Sequence, residues 1–190
     1  MSVSMMVFLG ILTMVLAYGI TTYNHLIALK HAVEKAWANI DVLLKQRHDE
    51  LPKLVEVCKQ YKQFEQQTLQ QVIEARSRVQ SARESQDVAA LGAAEGQLRS
   101  GIGRLFAVAE AYPELRANEN FMQLQGRISQ LESTIADRRE FYNDSVNIHN
   151  VRIAQFPASV IAGLFRFAER PLLRFAEAET RDVDMKQLFG

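Results

Sequence analysis

The chain has 190 residues, with 22 basic and 22 acidic side chains. This even balance gives no overall field that would attract nucleic acid, so no nucleic-acid partner is predicted. Only nine glycines and four prolines occur, which favours long helices over short strands joined by turns. The single cysteine, Cys58, excludes an intrachain disulfide and any zinc site of the CxxC type.

The first predicted element is an apolar helix at the N-terminus. Residues Val3 to Ile20 carry no charge, and roughly 20 helical residues span the ~30 Å hydrocarbon core of a bilayer. We predict a transmembrane anchor over residues 1–23, with membrane lipid contacting residues 3–23. No Lys or Arg precedes the apolar run and no Ala-x-Ala follows it, which favours an uncleaved anchor over a cleaved signal peptide.

The basic residues that flank the anchor predict its orientation. Lys30 and Lys35 follow the apolar run, whereas no Lys or Arg precedes it. Loops rich in Lys and Arg stay on the cytoplasmic side of bacterial membranes. The part of the chain after the anchor is therefore predicted to be cytoplasmic.

The first helix is predicted to continue beyond the membrane. Apolar residues recur there in steps of three and four, which is typical of an amphipathic helix. The membrane helix is therefore expected to run on as a rigid stalk to about His48. Asp49 is the predicted cap of a second helix with Pro52 in its first turn, and this helix is expected to end near Ser85. The stripe consists of Leu26, Leu29, Val33, Trp37, Ile40 and Leu44.

Two further helices are predicted in the second half of the chain. Asp87 is expected to cap the third helix, which Pro113 ends, and Asn118 is expected to cap the fourth, which Pro157 closes. Apolar residues in both helices alternate in steps of three and four, as in the seam of a helical bundle.

These elements together predict an all-α fold. An N-terminal transmembrane helix is expected to be continuous with an antiparallel four-helix bundle of long helices over residues 24–156. A short helical segment and an apolar, basic tail are expected over residues 157–190.

Five blocks carry a resemblance to a known family: YNHLIALKHAVEKAWANIDVLLKQRHDELPKLVEVCKQY from Tyr23, EARS from Glu74, AYPELRANENFMQLQ from Ala111, FYNDSVNIHN from Phe141 and FPASVIAGLF from Phe156. In order and spacing these blocks resemble the LemA family. The resemblance implies an N-terminally anchored bacterial protein with long antiparallel helices and no assigned enzymatic activity. Some members resemble lipoproteins with Cys just before the Tyr-Asn pair; Thr21 and Thr22 stand there in this chain, which excludes that lipid anchor.

The sequence contains no residue pattern typical of catalysis or metal binding. A di-iron bundle needs Glu-x-x-His pairs on two helices, and each of the four histidines follows a non-acidic residue three positions earlier. No catalytic residue, metal site or cofactor is predicted, and the chain is predicted not to be an enzyme. Cys58 and His149 lie on apolar faces, so a buried thiol and a core histidine are expected; a pH-sensitive contact is the alternative for His149.

Charged residues are dense near the end of the first predicted helix. They either form a solvated helix end or tie this helix to Arg76 or Arg138. Arg138 and Glu95 both interrupt apolar seams, and a buried arginine needs a carboxylate partner, so these two are predicted to pair within the bundle or between subunits. The predicted structural polar cluster is Asp41, Lys45, Arg47, Asp49, Arg76, Glu95 and Arg138.

The segment that follows the bundle is too apolar for a solvated tail. Three interpretations remain open: a short fifth helix folded back over the bundle, a self-association surface, or a membrane contact through its basic and aromatic residues. The candidate oligomer or membrane contacts are Phe156, Ile161, Leu164, Phe165, Arg166, Phe167, Arg170, Leu172 and Phe175.

The predicted function is a non-enzymatic, membrane-anchored helical scaffold that self-assembles as a homo-oligomer in the bacterial inner membrane. The alternative is an adaptor whose bundle recruits another membrane protein, such as a protease or a signalling enzyme.

Overall fold

A computed structural model describes residues 2–61 and 64–175. These residues form six helices and no strand, which confirms the predicted all-α fold. The predicted tail beyond residue 175 lies outside the described residues. The helices are α1 (Val3–Lys59), α2 (Gln66–Glu84), α3 (Val88–Ala109), α4 (Pro113–Arg116), α5 (Glu119–Ala154) and α6 (Ala158–Leu164).

The starts of α3 and α5 follow from their capping residues. The Asp87 side chain accepts a hydrogen bond from the Ala90 N–H at 2.9 Å, and the Asn118 side chain accepts one from the Phe121 N–H at 3.1 Å. Each bond satisfies a backbone donor that has no partner within its own helix. Both predicted caps are therefore confirmed.

The predicted boundary between the first two helices is wrong. α1 continues through Pro52 to Lys59, and α2 begins only at Gln66. A proline inside a helix leaves the carbonyl four residues earlier, here that of His48, without its usual donor. The Arg76 Nε–H supplies the missing hydrogen bond, 3.0 Å from the His48 carbonyl oxygen. A tertiary contact thus lets the helix pass the proline, and Asp49 lies inside α1.

The described residues fall into two compact units. The first comprises residues 2–39 and Glu140–Pro171, and the second comprises Ile40–Arg139 and residues 172–175. The predicted domain boundaries at residues 23 and 156 stay predictions.

In the first unit, the N-terminal part of α1 runs antiparallel to the C-terminal part of α5. Leu26 shares an apolar cluster with Ile153, and further along α1 the rings of Trp37 and Tyr142 lie 5.5 Å apart between centroids. α6 completes this cluster through Ala162 and Ile161, with Phe167 packed beside them. α1 also contains a segment that is long and apolar enough to cross a membrane, and none of that segment is buried in the structure.

In the second unit, side-chain pairs show that α2 runs antiparallel to both α1 and α3. Asp41 and His48 of α1 contact Arg83 and Arg76 of α2, respectively. The pairs between α2 and α3 are Val72 with Gly101 and Arg78 with Gln97, and Glu65, just before α2, pairs with Arg104.

Gly92 of α3 is required for a close backbone approach in the second unit. A Cβ at this position would lie 2.0 Å from the Arg174 carbonyl oxygen. Only glycine admits the backbone of residues 172–175 at this distance, and Leu173 is buried beside it. The glycine-rich sequence of α3 therefore has a packing reason here.

Candidate functional site

The centre of the second unit holds a buried charge cluster around Arg47 of α1. One terminal nitrogen of Arg47 donates to both carboxylate oxygens of Glu95 on α3, at 2.5 and 2.6 Å. The other terminal nitrogen donates to Glu132 of α5 at 2.7 Å. The side chains of Arg47 and Glu95 are each only 1% exposed, whereas Glu132 is 17% exposed. One arginine thus links three helices.

Burial and charge oppose each other in this cluster. Burial alone would lower the pKa of Arg47, but the negative charges of Glu95 and Glu132 outweigh it and raise that pKa. Burial raises the pKa of Glu95, and Glu132 adds to the rise, although Arg47 acts in the opposite direction. We take Arg47 as charged and bound to both carboxylates, because a guanidinium does not lose its proton in proteins.

A second group of polar contacts joins α1 to α2. Arg83 holds the Asp41 carboxylate with two hydrogen bonds, one of them 2.9 Å long, and these bonds lower the pKa of Asp41. Arg76 lies 2.6 Å from Nε2 of His48 in addition to its bond to the His48 carbonyl. Because arginine only donates, Nε2 of His48 is the acceptor. Burial and the charge of Arg76 lower the pKa of His48, which agrees with a neutral ring.

The structure brings together some of the predicted cluster and not the rest. Arg47 and Glu95 bind each other in the buried charge cluster. In the second group of contacts, Asp41 of α1 binds Arg83 of α2, and Arg76 of α2 binds His48 of α1. Lys45 and Asp49 are exposed on α1. The sequence prediction missed Glu132 and Arg83; Glu132 follows the buried Ile128 by four positions, and this spacing was its signal.

The predicted pairing of Arg138 with Glu95 inside the bundle is wrong. Glu95 binds Arg47, and Arg138 is exposed. The prediction continued the apolar seam of α5 in alternating steps of three and four, through Leu124 and Leu131 to Arg138. Leu124 and Leu131 are half-buried, as that spacing requires, but Arg138 is exposed and its neighbour Arg139 is half-buried. The buried and half-buried residues of α5 include Phe121, Leu124, Gln125, Ile128, Leu131, Glu132, Ile135, Arg139, Tyr142 and Val146.

The candidate contacts after α5 divide into packed and exposed residues. Ile161 and Phe167 pack in the first unit, and the Tyr23 ring lies 4.6 Å from Phe165 and 6.1 Å from Phe167 between centroids. Phe156, Leu164 and Arg166 are exposed, and the exposed Arg170 exchanges two backbone hydrogen bonds with the Asn150 amide, both 2.9 Å. Leu172 and Phe175 are half-buried in the second unit. A short helix folded back onto α1 and α5, one of the three interpretations, describes α6 in the first unit.

The lone thiol and the core histidine lie where their apolar faces predict. Cys58 is fully buried, and burial raises its pKa to about 12, which makes it a poor nucleophile. His149 is 1% exposed, and its ring lies 3.3 Å from the Asn150 amide oxygen. Within residues 2–61 and 64–175, no group of three or more His, Cys, Asp or Glu side chains could hold a metal ion.

The fold and the cluster define a membrane-associated, all-helical protein whose buried charges join its helices. The model of the LemA family matches residues 36–186, most of the chain, and the protein belongs to this family. The Protein LemA of Metamycoplasma hominis is 27% identical over 167 residues, which are 87% of this chain and 74% of that protein.

Other relatives carry the name of magnetosome proteins. The Magnetosome proteins MamQ 1 and MamQ 2 of Paramagnetospirillum magneticum are each 29% identical over 100 residues, or 53% of this chain. The chain spans 37% of the length of these two relatives. The predicted membership of the LemA family is thus confirmed. The names of these relatives mention no reaction.

Proposed function

We propose that this protein is a non-enzymatic scaffold that is anchored in the bacterial inner membrane by α1 and self-associates there. The part of the chain after the anchor is proposed to face the cytoplasm. The buried charges support a structural role, because Arg47 binds both Glu95 and Glu132 and so joins three helices.

The observation that carries self-association is an exposed apolar stripe on α5. Phe141, Ile148 and Val151 are all exposed, and their separations of seven and three residues place them on one helix face. Large apolar side chains grouped on a surface mark an interaction site more often than isolated ones do. A single-pass anchor would confine copies to the membrane plane and raise their effective concentration. The proposed partner of the stripe is the same stripe on a second copy.

Light scattering of the full-length protein in detergent over a concentration series tests this proposal. We expect the mass to rise from monomer to oligomer, and I148E to move the midpoint to a concentration at least ~10-fold higher, because a carboxylate would be buried without a partner. M122E is the matched control on the same helix, since Met122 is 50% and Ile148 is 55% exposed. A monomer at every concentration contradicts the proposal, and an equal shift with M122E contradicts the assignment to the stripe.

A further inference from the structure

α6 lies beside the end of the apolar segment of α1. Ile161 and Ala162 pack against Leu26, and the Ile161 Cδ1 atom lies 4.0 Å from the position of a Cβ on Gly19. If Val3 to Tyr23 cross the ~30 Å hydrocarbon core, the level of Gly19 and Tyr23 is the boundary between acyl chains and headgroups. The packing within the first unit therefore holds α6 at this boundary.

The outer face of α6 is apolar and has no partner among the described residues of the first unit. Val160 and Leu164 are one helical turn apart and largely exposed, and Phe156, just before the helix, is 83% exposed. Ile161 of the same short helix reaches Gly19 of α1, and the exposed apolar residues Leu16 and Ile20 are neighbours of Gly19 in α1. An apolar surface that is held beside a membrane-spanning segment is best covered by the lipid that covers the segment itself.

A basic cleft lies next to this apolar face. Its volume is about 350 Å³, and the basic residues Lys30, Arg166 and Arg170 are among those that line it, whereas no acidic residue is. Lys30 also lies 3.9 Å from Glu34, which neutralises part of its charge. The cleft reaches from Tyr23 to Lys30 along α1, and seven residues of helix cover ~10 Å, enough to cross a headgroup layer that is ~5–8 Å deep on each side of the bilayer. Arginine forks match phosphate oxygens.

We propose that α6 docks on the bilayer surface, with Phe156, Val160 and Leu164 among the acyl chains and with Arg166, Arg170 and Lys30 binding the phosphate of an anionic lipid headgroup. The protein thus touches the membrane twice, once with a spanning helix and once with a short helix that lies in the interface. This inference rests on the anchor of the proposed function and is independent of self-association.

Depth-dependent quenching of the full-length protein in liposomes tests the docking. An NBD dye is attached to a single engineered cysteine, L164C or L16C; the buried Cys58 leaves this labelling selective. The vesicles contain phosphatidylcholine and phosphatidylglycerol at three to one, with bromine on the acyl chains of one lipid at a time. We expect brominated lipid to quench the dye at both positions. Quenching at position 16 alone overturns the docking and leaves the anchor standing, and quenching at neither overturns both.

The same dye at position 164 tests the headgroup site. We expect brominated phosphatidylglycerol to quench it more strongly, mole for mole, than brominated phosphatidylcholine. A cation at an anionic surface contributes about fivefold in partitioning, so R166Q and R170Q should each lower this preference by about that factor. R138Q, a change at an exposed arginine of the second unit, is the control and should leave the preference unaltered. Equal quenching by the two lipids in the unaltered protein overturns the headgroup site.

Discussion

The interaction of Arg47 with Glu95 decides the electrostatics of the interior of the second unit. A buried ion pair contributes little net stability, because the free energy needed to remove both ions from water is about as large as the free energy gained from their attraction. Removing one partner has a much larger effect, because the other ion stays buried without compensation. The cluster therefore acts as a strong constraint on which helices pack together.

We expect R47M to lower the free energy of unfolding by about 3–5 kcal/mol, since Glu95 keeps its buried position without its cation. The double variant R47M/E95L should recover most of this loss, because neither ion of the fully buried pair remains, the volumes are similar, and Glu132 is 17% exposed and so reaches water. Urea unfolding of the full-length protein in detergent, followed by circular dichroism, measures both values. R138M, a change at an exposed arginine, should change the stability by no more than ~0.5 kcal/mol. A double variant as unstable as R47M would show that the pair is not the cause.

The sequence predicted half of this pair, and the missing half has a physical reason. Glu95 stood out because it interrupts an apolar seam, and a buried carboxylate requires a cation. The arginine that binds it comes from α1, and the packing of α1 against α3 is a tertiary contact that no local pattern gives. On α5, Arg138 is exposed and its neighbour Arg139 is half-buried, a difference of one position that a periodicity of three and four does not resolve. Arg47 itself looked like a member of a solvated helix end.

At the scale of the helices, Pro52 shows how a distant residue changes a local rule. The capping residue and the proline together indicated a helix start, and both are valid local signals. The contact between Arg76 and the His48 carbonyl overrides them, and it joins positions 28 residues apart that no local pattern connects. The caps at Asp87 and Asn118 were predicted correctly, because their hydrogen bonds are made within one helical turn.

We expect a double-mutant cycle between Pro52 and Arg76 to show strong coupling. R76L alone should cost about 1–3 kcal/mol of stability, because it leaves the His48 carbonyl without a donor. In the P52A background the helix supplies its own N–H to that carbonyl, so R76L should cost less by at least ~0.5 kcal/mol. Pro52 is exposed, so P52A removes no buried packing. Urea unfolding of the four proteins gives the free energies of the cycle. If R76L lowers the stability equally with Pro52 in place and in the P52A background, the Arg76 Nε–H does not replace a backbone N–H at the His48 carbonyl.

At the scale of the whole molecule, the two compact units differ in their exposed surfaces and in their buried side chains. The first contains the apolar segment of α1, an exposed apolar face on α6 and a basic cleft. The second contains the buried charges and the lone thiol. The apolar segment could be predicted because eighteen uncharged residues are a local signal. A short helix folded back was one of three open interpretations of the segment after α5, and the sequence could not choose among them because that packing joins residues far apart in the chain.

The orientation of the chain in the membrane is the last prediction, and the chain is well suited to a labelling test. Lys30 and Lys35 predict that the second unit is cytoplasmic. Ser100 is exposed in that unit, so S100C should react with a membrane-impermeant maleimide only after spheroplasts are lysed. S2C, on the other side of the apolar segment, should react in intact spheroplasts and is the matched control. The unaltered protein should remain unlabelled in both, because burial raises the pKa of Cys58 to about 12. Labelling of S100C and not of S2C in intact spheroplasts would show the opposite orientation, because these two positions flank a single span.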